Sequence, residues 1–169
     1  MPLIQAQHID TIYAENVSIE KIGYNSSLDS VKSRLGKPKD YSTYEEEEGE
    51  AEGYDKWFYF TYDSLKLALY EWNGDVHLSS FSNRNKRYKV ELGRSLISVG
   101  DSIDILRTSF PHSFREFVSR QAQHHDYQQE EFYIRIAVVY PNAVSYDGIV
   151  NIKVRSQIIT EISASFQPA

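Results

Sequence analysis

The chain has 169 residues, 41% hydrophobic and 25% charged, with a net charge of −6, 13 Tyr and no Cys. Its length supports one domain with a core of its own, and its near-average composition excludes collagen, coiled coil and wholesale disorder. The lack of Cys excludes disulfides, thiolate nucleophiles and cysteine metal sites. The acidic balance disfavours nucleic acid, whose phosphates need a basic stripe, and Arg84, Lys86, Arg87 and Lys89 form the only basic cluster.

Residues 1–19 read equally well as strand or helix. Met1-Pro2-Leu3-Ile4 carries neither a basic n-region nor an apolar h-region, so no signal peptide is expected within the chain. A cytoplasmic location follows if Met1 is native, and a periplasmic or secreted one if a leader has been removed. No apolar run approaches about 18 residues, so no membrane span is expected. Leu28, Val31 and Leu35 recur at i, i+3 and i+7 behind Ser27, with Asp29 in the first turn and Gly36 and Pro38 as stops. That spacing predicts a capped helix over 27–35. From Tyr41 to Asp55 the chain holds Glu45, Glu46, Glu47, Glu48, Glu50 and Glu52, and like charges at that density read as a solvated loop. Its spacing does not match a calcium loop.

Three antiparallel strands are predicted next, at 57–62, 65–72 and 76–81. They are joined by turns at Asp63-Ser64 and at Asn73-Gly74, the latter a strong hairpin signal. A strand over 88–92 bridges the halves. Ile103, Leu106 and Phe110 then repeat the i, i+3, i+7 pattern behind Ser102, with Asp104 in the first turn and Pro111 as the stop. They predict a helix over 102–110. Ser113 and Glu116 read as a capping box for a short helix ending near 121–125. Strands at 132–140, 149–154 and 158–166 follow, the last two joined at Ser156-Gln157.

The two helix patterns lie about 75 residues apart, and each precedes three consecutive strands. The expected organisation is an N-terminal segment (1–19) and two repeats (20–93 and 94–169) in one compact unit. The expected class is α+β: two tandem helix-plus-antiparallel-strand repeats forming one sheet with helices on one face. Ile22, Gly23, Ser27, Leu28, Asp29, Val31, Leu35, Gly36 and Pro38, echoed by Gly100, Asp101, Ser102, Ile103, Asp104 and Leu106, carry a family likeness. This pattern resembles the helix opening of small outer-membrane lipoproteins, and the tandem arrangement resembles the related beta-lactamase inhibitor protein family. The resemblance implies a protein-binding role on a concave sheet face. The chain departs from both groups in having no Cys, and the inhibitors' contact loops have no counterpart in it.

Strand alternation assigns two sets of side chains to opposite sheet faces. Phe58, Phe60, Leu67, Leu69, Val76, Leu78, Phe132, Ile134, Ile136, Ile152, Val154, Ile158 and Ile162 are expected to pack beneath the helices. Trp57, Tyr59, Tyr70, Trp72, Tyr133 and Arg135 share the other face with several cations. Trp, Tyr and Arg are the types enriched at binding hot spots, so these six are the candidate partner-binding residues. The partner is expected to be another protein or a second copy. Aromatics also pair well across strands with no partner, which is the structural alternative. No hydrolase, phosphate-loop or metal-binding motif occurs, so no catalytic residue, metal or cofactor is assigned and a non-enzymatic role is expected. The competing expectation is a small-ligand site or enzyme pocket around His124 and His125, which adjacent placement makes awkward as a metal pair.

Overall fold

The computed structural model of the chain describes residues 9–47, 54–123, 131–140 and 148–166. The predicted hairpins form by pairing of apolar-alternating runs, through short turns at Asp63-Ser64, Asn73-Gly74 and Ser156-Gln157. β5 (Tyr54–Tyr62), β6 (Leu65–Trp72) and β7 (Asp75–Asn83) pair in succession, as do β10 (Phe132–Val139), β11 (Gly148–Arg155) and β12 (Ile158–Phe166). The Asn73-Gly74 turn has φ of 49° and 86°, the left-handed pair that matches the twist of a tight hairpin. β12 pairs antiparallel with β7, joining the two meanders into one sheet. That sheet is completed by β1 (Thr11–Tyr13), parallel beside β10, and by β4 (Asp40–Glu47), antiparallel beside β5. The order across its eight strands is β1-β10-β11-β12-β7-β6-β5-β4.

A second sheet carries most of the difference from expectation. β2 (Val17–Ile19), β3 (Ile22–Gly23), β8 (Val90–Leu92) and β9 (Ser95–Ile97) form four antiparallel strands in the order β3-β2-β8-β9. Val17, Ile19, Ile22, Val90, Leu92 and Ile97 are at most 1% exposed and join one apolar cluster with Phe60, Leu67, Leu69, Ile134, Ile152 and Ile162 of the larger sheet. The expected α+β arrangement, with tandem helix-plus-strand repeats on one sheet, is therefore incorrect. Among the described residues the chain is mostly β, with two sheets and two α-helices. β8 was expected, within the strand over 88–92, but its partners β2, β3 and β9 were hidden because segments of two or three residues are too brief to display a period.

The helices also differ from each other. α1 (Leu28–Leu35) forms as predicted, with the Ser27 hydroxyl accepting from the Ser30 amide at 3.2 Å and Gly36 ending it at φ 74°. Val31 is its buried anchor, while Leu28 and Leu35 are only half-buried. The pattern at 102–110 instead yields a 3-10 turn at Ile103–Leu106, and the α-helix of this half is α2 (Pro111–Gln123). Pro111 explains the break. At the first helical position its missing N–H costs nothing, but as a continuation of the upstream turn its ring would meet the carbonyl of Arg107. Ser113 is not a cap either. It lies inside α2, where its amide donates to the Asp10 carboxylate at 2.7 Å and its hydroxyl accepts from the Asp10 amide at 2.9 Å.

The segment expected to be a loop at 41–55 is in part the β4–β5 hairpin. Tyr41, Ser42, Thr43 and Tyr44 are good strand formers. The Tyr41 ring lies 4.9 Å from Phe60, and Glu45 pairs with Lys56 at 2.6 Å. Residues 48–53 lie outside the described residues. Ile158, expected in the core, is 40% exposed, while Ile159 is buried. A bulge causes this: Lys153 faces Glu161 and Val154 faces Ile159, so Thr160 is the extra residue and the phase of β12 flips there.

Candidate protein-binding face

The inner face of the larger sheet is consumed by the core, so only its outer face is open to a partner. Ladder register places all six candidates there. Trp57 sits directly opposite Tyr70, and Tyr59 and Trp72 lie two residues along their strands from these. Tyr133 faces Lys153 and Arg135 faces Asn151, and Asn151, Ser163, Ser82 and Lys66 carry the same face across the central strands.

The six do not form one cluster. Trp57, Tyr59, Tyr70 and Trp72 are contiguous on β5 and β6. The Trp57 ring lies 5.0 Å from Tyr70 and 6.3 Å from Tyr59, the latter nearly parallel at 12°. Tyr133 and Arg135 lie on β10, four strands from β6 and five from β5, which at about 4.8 Å per strand is roughly 19–24 Å. Within the aromatic group the roles also separate. Tyr59 and Trp72 are 42% and 38% exposed, whereas Tyr70 is 8% exposed. Tyr70 is thus a buttress beneath Trp57, while Tyr59 and Trp72 offer ring surface to water. Tyr44 on β4, 56% exposed and directly opposite Trp57, extends the row. Sequence reasoning missed Tyr44 because it fell in the supposed loop; its signal was the Tyr-Ser-Thr-Tyr run.

The β10 group is built differently. Lys153 lies 5.9 Å above the Tyr133 ring and pairs with Glu131 at 2.6 Å; that hydrogen bond holds the Lys153 ammonium pKa above its ordinary value. Arg120 of α2 donates to the Tyr133 carbonyl at 2.8 Å, fixing the end of β10, and Arg135 is exposed. Between the two groups the outer face carries small and polar side chains, Ala68, Ser80, Ser82, Ser163 and Ser165.

At the rim of the aromatic group, His77 faces Tyr70 across the β6–β7 hairpin and stacks on Tyr24 at 4.7 Å. Tyr24 is half-buried, and that burial raises its phenol pKa. His124 and His125 lie outside the described residues, so the alternative pocket does too. Among the described residues no group of three or more His, Asp and Glu side chains is placed to hold a metal. A cleft of about 370 Å³ lies beside the end of α1, where Arg34, Lys37, Lys39 and Arg87 line it together with Glu20 and Asp63. No family model, curated protein or solved structure matches this chain.

Proposed function

We propose that the chain is a non-enzymatic protein-binding module whose contact surface is the aromatic half of the outer face, anchored by Trp57, Tyr59 and Trp72. The observation that carries this reading is the juxtaposition of Tyr44, Tyr59 and Trp72, each more than a third exposed, around a Trp57–Tyr70 pair. Their own core does not need these rings, and large adjoining apolar surfaces on a soluble protein mark interaction sites. Tyr133 and Arg135 belong to the same contact if the partner is a folded protein. An interface of standard size covers about 800 Å² per partner, a patch roughly 30 Å across, which exceeds the separation of the two groups. An inhibitor or immunity-like role is the narrower form of the proposal, with the partner an enzyme or toxin.

The test is capture on immobilised wild type against the double variant Tyr59→Ala, Trp72→Ala. Because both side chains are exposed, the variant is expected to fold with an unchanged circular dichroism spectrum. The captured protein should bind it at least about 30-fold more weakly, the loss expected for a single hot-spot residue. Retention at wild-type affinity would sink the reading.

A further inference from the structure

We propose that β4 is a self-association edge, through which the chain pairs antiparallel with a second copy about a two-fold axis at Ser42. Edge strands present unpaired backbone groups, and proteins commonly keep them very short or blunt them with charge. Three of the four sheet edges here are short: β1 and β9 have three residues and β3 has two. β4 has eight, and Asp40 to Glu45 are all exposed.

The charges on this edge are sorted rather than scattered. Lys37 and Lys39 lead into the strand, and Glu45, Glu46 and Glu47 close it. Neither Lys37 nor Lys39 is in an ion pair among the described residues. With Lys32 they rim a groove of about 690 Å³ that also reaches Tyr41, so the cationic end of the edge is open beside it. Such a strand is complementary to its own reverse. With the axis at Ser42, Tyr41 faces Thr43, Asp40 faces Tyr44, Lys39 faces Glu45 and Lys37 faces Glu47 of the second copy. No like charges are opposed in that register, whereas parallel pairing in register would set glutamate against glutamate. Opposed unlike charges stabilise a cross-strand pair and like charges oppose it, so charge selects the antiparallel arrangement. An isologous contact of this kind closes at two copies. Because it uses the edge rather than a face of the sheet, it leaves Tyr59 and Trp72 free, with Tyr44 at the seam between the copies.

The chain has no Cys, so a single introduced thiol reports the contact directly. Opposed residues of an antiparallel pair have Cα atoms about 4.5–5.5 Å apart, within disulfide range. Mild oxidation of Ser42→Cys should give a covalent dimer, and Ser64→Cys, an exposed control in the β5–β6 turn, should not. By sedimentation, wild type should be dimeric, with an affinity that falls as salt rises. The variants Lys37→Glu, Lys39→Glu and Glu45→Lys, Glu47→Lys should each be monomeric, and a one-to-one mixture of them should restore the dimer. Tyr59→Ala, Trp72→Ala should leave it intact. A monomeric wild type with no Ser42→Cys cross-link would overturn the proposal, as would a dimer that survives both charge reversals.

Discussion

Asp10 does more for the fold than any sequence motif suggested. It reaches α2 from 103 positions away in the chain and forms with Ser113 the reciprocal amide-to-side-chain exchange usually made by neighbours at a helix start. Its own carbonyl accepts from the Ala137 amide at 2.9 Å, so one residue ties β10 to the start of α2. Asp10→Ala should cost about 1–2 kcal/mol in a denaturant melt, the range for loss of a helix cap. Asp10→Asn, which keeps an acceptor oxygen, should recover most of it. Equal losses for both would show that charge rather than the hydrogen bond matters. Ser113 was legible as a helix-start residue because its type is right. Its partner was not, because a cap supplied from across the fold leaves no local spacing to read.

At the scale of elements, the tight turns carry the clearest agreement and one weakness. Asn73-Gly74 suits its left-handed geometry, but the β11–β12 turn places Ser156 and Gln157 at φ of 50° and 65° with neither Asn nor Gly. Such conformations cost L-residues about 1–2 kcal/mol each. The double substitution Ser156→Asn, Gln157→Gly should therefore raise stability by about 1 kcal/mol, part of the gain being offset by the lost Gln157–Gln121 hydrogen bond. An unchanged or lower melting temperature would show that this side-chain contact outweighs the backbone strain. The strands of the two meanders were readable from alternation until a bulge intervened. In β12 the extra Thr160 puts both Ile159 and Ile162 inward, a phase change that a strict period of two cannot represent. α1 was readable because its cap, its apolar spacing and its stop all lie within ten residues of sequence.

For the molecule as a whole, the two sheets share one apolar cluster, which includes Ile19 and Ile97 of the smaller sheet, Phe60 and Ile152 of the larger, and Val31 and Phe117 of the helices. Neither sheet can lose its packing without exposing the other, so unfolding should be a single transition. Both Trp residues lie on the larger sheet, whereas Ile97, 0% exposed, belongs to the smaller. Ile97→Ala should lower the Trp fluorescence midpoint and the circular dichroism midpoint together, by about 2–5 kcal/mol in stability. Separate midpoints would mean that the smaller sheet melts alone. The β5–β6–β7 and β10–β11–β12 meanders, α1, and which aromatic residues alternate away from the core were legible in the sequence, because turn chemistry and side-chain period are local properties. Only the tertiary structure settled the second sheet, the placement of β1 beside β10 and of β4 beside β5, and the division of the aromatic face into groups four to five strands apart. These depend on which strands become neighbours, and that choice is made by burial of one shared core between partners far apart in the chain.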